Sequence, residues 1–186
     1  MIDPFTGNSQ FIFWLARKEA ERQSLEDWGA EQLLAALAKP YCEEEDRAYL
    51  EDIVAFLDKD DEGPLREDER IEFYEEAKHR PSISSIVLTK CGITLEQIRE
   101  VIDQPTSKRS KRATANPNAD YKRITERAIA IGKSHKMRAD SSHLLLSILE
   151  EDKGGAHQVL EALNADRDLI RRETLKMRKK YKKTGA

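Results

Sequence analysis

Large apolar side chains recur along most of this chain every three to four residues, the spacing that places them on one face of an α-helix. None of the six prolines interrupts such a run, so the pattern predicts an all-helical protein without strands. Five predicted helices cover about 9–24, 30–39, 43–59, 66–79 and 119–134. Two others run from Ser82 to Cys91–Gly92 and from Thr94 to just before Pro105. Three more begin at Asp140, Gly154–Gly155 and Asp166.

Residues suited to helix ends stand where these runs begin and stop. Ser82 and Asp166 are good N-caps, and Thr94 with Gln97 has the pattern of a capping box. Gly92 is placed to end the helix before it. Residues 171–183 hold eight Lys and Arg against one Glu, and we expect this basic end to fray into solvent.

Two stretches interrupt the regular pattern. Residues 43–76 hold sixteen Asp and Glu against four Lys and Arg, and their apolar residues predict an acidic helical hairpin that turns at Gly63–Pro64. Residues 105–118 contain no large apolar side chain and therefore cannot pack into a core, so we interpret them as a linker.

The chain also matches itself. Residues 85–99 match 157–171, which lie 72 residues later, and residues 30–37 match 141–148, which lie 111 residues later. Because the two offsets differ by 39, the first copy carries an insertion, which the acidic hairpin fills. We predict one domain over 1–186 built from two pseudo-duplicated four-helix repeats: repeat one over about 9–104 with the insertion at about 41–80, the linker at about 105–118, repeat two over about 119–178, and a basic tail at about 179–186.

Composition agrees with a surface-rich helical domain and favours few kinds of function. Of the 186 residues, 36% are charged and 39% hydrophobic, and the net charge is −3, so no global field attracts nucleic acid or anionic membranes. No apolar stretch approaches the length of a membrane span, and the first residues lack the features of a secretory signal. We therefore expect a cytoplasmic protein with two free thiols, Cys42 and Cys91.

Motifs for catalysis are missing. Gly132–Ser134 looks like the end of a nucleotide-binding P-loop, but Arg127 stands where the motif needs its first glycine. No nucleophile elbow occurs, and the four histidines do not share metal-ligand spacing. We predict no enzymatic activity, no cofactor and no metal site.

The second repeat resembles a known family. Ser142–Leu146, Leu149–Glu151, Gly154 and Val159–Leu163 are similar to the repeat of the Clp N-terminal domain, whose pattern is approximately G-T-E-H-L-L-L-G-L-L, an acidic or glycine turn, and A-x-x-V-L-x-x-L-G. The match covers about residues 121–177. Repeat one fits the same frame once its insertion is removed.

The resemblance implies a module that recognises other proteins and that stands alone, without the AAA+ ATPase. Family members that bind phosphorylated arginine resemble one another in a Thr–Glu pair opening the second helix of each repeat. Here Ala30–Glu31 and Ser141–Ser142 stand at those places, so neither pair is intact, and Ser141 and Ser142 suit a structural cap as well. From this frame we expect partner binding at the second-helix openings and the groove between the repeats, through Glu31, Gln32, Ser141, Ser142 and His143.

Two functions remain from the sequence. The first is non-catalytic protein recognition, with a Clp-type unfoldase, protease, adaptor or substrate as the partner. The alternative is a nucleic-acid-associated helical protein that uses the basic linker at Lys108–Arg112 and the basic tail at Arg171–Lys183. Tyr181 is the only aromatic residue in that tail, which is little for stacking on bases.

Overall fold

The computed structural model describes residues 4–25, 27–40, 82–104 and 119–184. This part of the chain forms eight α-helices, and its only extended pairing is a single bridge between Phe5 and Ala139. The all-helical prediction is confirmed, whereas the predicted hairpin and linker lie outside the described residues. The helices are α1 (Gly7–Arg22), α2 (Ala30–Ala38), α3 (Ile83–Lys90), α4 (Leu95–Ile102), α5 (Ala119–Ser134), α6 (Ser141–Leu149), α7 (Gly155–Ala162) and α8 (Arg167–Thr184).

The helix ends follow the local signals in the sequence. The Ser82 hydroxyl accepts the N–H of Ser85 at 3.2 Å, and Thr94 and Gln97 exchange hydrogen bonds as a capping box. Gly92 has a φ of 76°, the left-handed conformation that costs glycine least. These ends are therefore set by residues within one turn of them.

The C-terminal helix is longer than the sequence predicts. We expected the basic segment to fray, but α8 continues to Thr184. Ile170 and Thr174 are fully buried on its inner face, and Met177 packs against the core. Because α8 packs along α3 and α6, tertiary contacts hold a segment whose own charges repel one another.

Two short helices form the centre of the molecule. In α2 every residue except Glu31 is buried, and in α6 all nine residues are buried. A helix that is apolar on every side needs neighbours on every side. α2 and α6 contact each other, and the remaining helices surround them.

The contacts between helices obey a pseudo-twofold symmetry. α1 packs on α2 as α5 packs on α6, and α4 packs on α2 as α8 packs on α6. Across the two halves, α3 contacts α8 as α7 contacts α4, and α7 contacts α2 as α3 contacts α6. Every extensive contact in the described part has such a counterpart, so the predicted duplication of a four-helix unit is confirmed.

Two nearly buried glutamates join helices through arginine pairs. Glu19 of α1 accepts from Arg22 at 2.6 Å and from Arg99 of α4 at 2.8 Å. These ion pairs fix α1 against α4 within repeat one. The glutamate is buried, so both of its oxygens need such donors.

The corresponding cluster in repeat two lies at the end of α6. Glu151 is 5% exposed and accepts from Arg123 and Arg127 of α5, each at 2.8 Å. The hydrogen bond from Arg123, reinforced by both arginine charges, lowers the pKa of Glu151 against the opposing effect of burial.

Two further properties of the described residues concern membrane spans and cysteines. No described helix is both long and apolar enough to cross a membrane. Cys91 is a half-buried free thiol, and burial raises its pKa. Cys42 lies outside the described residues.

Equivalent central leucines should have equivalent energetic roles. Leu34 of α2 and Leu145 of α6 occupy matching positions and are fully buried. We expect Leu34→Ala and Leu145→Ala each to lower the free energy of unfolding by about 2–5 kcal/mol, because each leaves a cavity in the shared core. Leu25→Ala, at an exposed leucine, should change it by less than about 0.5 kcal/mol. Urea unfolding followed by circular dichroism measures this, and separate transitions for the two halves would contradict a single shared core.

The ion pairs of Glu151 predict an acid-sensitive contribution to stability. Its folded pKa is lowered, so the contribution is present above its unfolded pKa of about 4.3 and is lost as pH falls through the folded value. At pH 7 we expect Glu151→Gln to lower the free energy of unfolding by about 1–3 kcal/mol. Between pH 5 and pH 2 the two proteins should converge in urea melts, and a constant difference would contradict the assignment.

Candidate functional site

The predicted site residues lie at the starts of the two central helices. Glu31 and Gln32 belong to the first turn of α2, and Ser141, Ser142 and His143 belong to the first turn of α6. We call these two places the α2 opening and the α6 opening. The pseudo-twofold symmetry makes them equivalent positions in the fold.

At the α2 opening, a chain of amide hydrogen bonds leads from the helix start to α4. The Gln32 side chain accepts the N–H of Gly29 at 2.8 Å and donates to Gln23 Oε1 at 2.6 Å. Gln23 in turn donates to Asp103 Oδ1 at 2.9 Å, and Arg22 holds both Asp103 oxygens at 2.7 Å. The start of α2 is thereby fixed to the C-terminal end of α4.

At the α6 opening, imidazole rings replace the amides. Asp140 is the N-cap and accepts the N–H groups of Ser142 and His143 at 2.8 and 3.2 Å. His143 Nδ1 accepts the N–H of Asp140 at 3.0 Å, which places the ring hydrogen on Nε2, 3.3 Å from His135 Nδ1. Although Asp140 Oδ1 is also 2.9 Å from His143 Nδ1, we prefer this tautomer because it satisfies the Asp140 N–H.

The network of the α6 opening continues into α8. Arg178 Nη1 lies 3.1 Å from His135 Nδ1. Gln32 and His143 thus occupy the same position in α2 and α6. Their partners Gln23 and His135 each follow the first helix of their repeat. The fourth helix of each repeat, α4 or α8, completes the chain of contacts. Sequence reasoning missed Gln23, His135, Asp140 and Arg178, although an aspartate before a helical run is an ordinary N-cap signal.

Burial divides the predicted site residues into two groups. Gln32, Ser141, Ser142 and His143 are at most 3% exposed, and their polar groups help to hold the helix starts. The expected cap at Ser141–Ser142 is instead supplied by Asp140, to which the Ser142 hydroxyl donates. Glu31 is only partly buried.

Glu31 lies against the start of α7. A Cβ atom on Gly155 would collide with the Glu31 carboxylate, and one on Gly154 would lie 2.6 Å from Asp120 Oδ2. The two glycines therefore leave room for two carboxylates, which stand near the positive end of the α7 dipole. Asp120 is paired with Arg123 at 3.0 Å, so Glu31 supplies the remaining negative charge of the α2 opening.

A cluster of half-buried aromatic rings adjoins this acidic opening. Trp28 directly precedes α2 and packs on Tyr121 of α5, with ring centroids 4.2 Å apart, and Phe13 of α1 lies 5.6 Å from Tyr121. Burial raises the pKa of Tyr121 well above its usual value, so its hydroxyl stays protonated at neutral pH. The surface offers apolar area next to negative charge.

The α6 opening instead faces a groove of about 740 Å³ between the start of α3, the α5–α6 loop and α8. Its cationic lining residues are Lys136, Arg178 and Lys179. Burial pushes the pKa of Asp140 upward, but hydrogen bonds from the first turn of α6, including the Ser142 hydroxyl, and the charge of Arg178 outweigh it and lower that pKa. The two equivalent openings therefore differ in charge.

Neither opening brings together a set of metal ligands from the described residues. Within residues 4–25, 27–40, 82–104 and 119–184, no group of three or more His, Cys, Asp or Glu is arranged to hold a metal ion. The linker cluster Lys108–Arg112 lies outside the described residues. The side chains that converge at both openings are suited to binding polar and apolar surface.

Comparison with solved structures identifies the fold. The N-terminal domain of the caseinolytic protease associated chaperone ClpD from Arabidopsis thaliana is 18% identical, with a TM-score of 0.59 over 93% of this chain and 96% of that chain. The N-terminal domain of Hsp104 from Candida albicans is 14% identical, with a TM-score of 0.56 over 94% of this chain and 91% of that one. The chain thus has the Clp N-terminal-domain fold, as its second repeat implied.

Comparisons of sequence alone gave no such match. No protein-family model matches the chain, and no curated protein sequence does either. The similarity therefore resides in the arrangement of the helices.

The equivalence of Gln32 and His143 can be tested directly. We expect His143→Gln to keep the cap of α6, because glutamine performs that task in α2, and to cost less than about 1 kcal/mol. His143→Ala should lower the free energy of unfolding by about 2–3 kcal/mol, since it leaves a cavity and an unpaired Asp140 N–H. Equal losses in the two variants, measured by urea unfolding, would contradict the proposed hydrogen bond.

Proposed function

We propose that this chain is a non-catalytic protein-recognition module whose partner is a Clp-type unfoldase or protease component, an adaptor or a substrate. The observation that supports it is the fold, which is similar to N-terminal domains of two chaperones over more than nine tenths of this chain. Because a fold does not fix a function, the proposal depends equally on the surfaces at the two openings.

The α2 opening supplies one such surface. Glu31 is only partly buried, and its carboxylate lies against Gly155 at the start of α7. The neighbouring aromatic rings of Trp28 and Tyr121 supply apolar area, the usual complement to a charged contact at an interface. Glu31 is therefore the predicted site residue that we expect to touch a partner.

The buried members of the predicted set have a different role in this proposal. Gln32 and His143 hold the openings in place through hydrogen bonds to α4 and, by way of His135, to α8. Side chains used in this way are positioning residues. Because they fix the surface before binding, they reduce the ordering cost of recognition.

The first experiment is affinity capture from the native lysate by the tagged full chain, with identification of the eluted proteins. We expect a Clp component among them. Glu31→Lys should lower its recovery at least about tenfold, corresponding to about 1.4 kcal/mol, without unfolding the domain. Glu100→Lys makes the same charge change at an exposed position of α4 and should leave recovery unchanged.

Gly155→Ala tests whether the position of the Glu31 carboxylate matters, because it moves the carboxylate without removing its charge. The added methyl displaces the flexible carboxylate, while alanine favours the helix by about 1 kcal/mol. We expect reduced capture from a protein at least as stable as the original. Unchanged capture in both Glu31→Lys and Gly155→Ala would remove Glu31 from the site, and the absence of any Clp component would contradict the proposed function.

A further inference from the structure

The Arg178 guanidinium on α8 forms no ion pair with any carboxylate of the described residues. Its guanidinium lies 3.1 Å from His135 Nδ1 and 3.6 Å from the Met137 sulfur. Both are weak acceptors compared with a carboxylate. Asp140 acts on it electrostatically, but the two form no ion pair in the described structure.

Four other arginines hold carboxylates: Arg22, Arg99, Arg123 and Arg127. Arg167 of α8 resembles Arg178 in contacting a histidine ring, but it also donates to the backbone carbonyl of Glu151 at 2.7 Å. Burial lowers the pKa of Arg178, as expected for a guanidinium that has lost water without gaining an anion. An arginine remains cationic at neutral pH, so the groove contains a partly desolvated positive charge that no carboxylate of the described residues pairs at hydrogen-bond distance.

The pseudo-twofold symmetry allows Arg178 to be compared with the equivalent place in repeat one. In repeat one the equivalent chain of hydrogen bonds ends at Asp103, which Arg22 neutralises through two bonds of 2.7 Å. In repeat two it ends at Arg178 and the groove. One end of the pseudo-symmetric network is therefore an ion pair, whereas at the other end Arg178 forms no ion pair with the residues that the structure describes.

The groove has apolar walls as well as positive charge. Ile83, Met137 and Leu175 line it, and Met137 and Leu175 are 46% and 42% exposed. Lys136 and Lys179 are exposed at its edge and form no ion pair with any described residue. A volume of about 740 Å³ exceeds what a single small anion needs and is ample for several side chains of a peptide.

We propose that this groove binds an acidic polypeptide segment of a partner protein, with a carboxylate of the segment paired to Arg178 and an apolar side chain packed between Met137 and Leu175. The proposal rests on the protein-recognition function and adds the chemical class of the partner. Arginine pairs with a carboxylate in a fork of two hydrogen bonds. A monoanionic carboxylate is favoured over a phosphate because the ionised Asp140 also lines the groove.

The test is a fluorescence-anisotropy titration of the full chain with a short labelled peptide of glutamate, leucine and alanine, at low and high salt. Control peptides carry glutamine or lysine in place of every glutamate. We expect the glutamate peptide to bind at least about tenfold more tightly than either control, and more weakly at high salt. Equal binding of the glutamate and glutamine peptides would overturn the proposal.

Variants of α8 locate the site. Arg178→Glu should weaken binding of the glutamate peptide at least about tenfold, and Arg178→Lys should weaken it less, because lysine keeps the charge but loses the fork. Arg172→Glu is the matched control, an exposed arginine of the same helix outside the groove, and should change binding less than about twofold. If Arg178→Glu unfolds, Lys179→Glu provides the same test at an exposed residue.

Three further outcomes distinguish this proposal from the proposed function and from a contact within the chain itself. Peptide binding lost in Arg178→Glu but kept in Glu31→Lys supports the groove even if no Clp component is captured, which would contradict the proposed function alone. Clp capture without peptide binding would overturn the groove proposal alone. A peptide copying residues 43–60 that binds at least about tenfold more tightly than the designed peptide would overturn the assignment to a partner and indicate the chain's own acidic segment.

Discussion

The burial of two central helices on all sides is the constraint on which this structure depends. α2 and α6 have almost no polar surface, and none of their buried side-chain nitrogen or oxygen atoms lacks a hydrogen-bond partner. A helix of this composition is stable only when other helices cover its whole circumference. Each repeat has too few helices to do so by itself, so each central helix is covered partly by helices of the other repeat. The pseudo-twofold symmetry follows from this mutual covering.

The same constraint explains why the openings are the chemically interesting places. The body of a buried helix presents nothing to solvent, whereas its first turn must supply partners for free N–H groups. Gln32 and His143 do so from equivalent positions and link the openings to α4 and α8. Around this shared frame the surface residues differ, with Glu31 and Asp120 at one opening and Lys136, Arg178 and Lys179 at the other. A duplicated scaffold thereby presents two surfaces of different charge.

Much of the fold is readable from local sequence because its determinants are local. The capping box of Thr94 and Gln97, the Ser82 cap and the Gly92 turn each act within a few residues, so spacing alone predicts them. The extension of α8 to Thr184 was missed for the opposite reason. Its basic end has little intrinsic reason to stay helical, but Ile170 and Thr174 are buried in packing against distant helices.

The sequence by itself determined the helices, the internal duplication and the positions of the two openings, because apolar periodicity, caps and repeat offsets are properties of neighbouring or matching residues. Only the tertiary structure decided which side chains are accessible. It buried Ser141, Ser142 and His143 while leaving Glu31 partly exposed, and it brought His135 and Arg178 together from positions 43 residues apart. Burial and charge pairing depend on contacts across the whole fold, so the position of Arg178 beside His135, without an ion pair among the described residues, has no signature in the linear sequence.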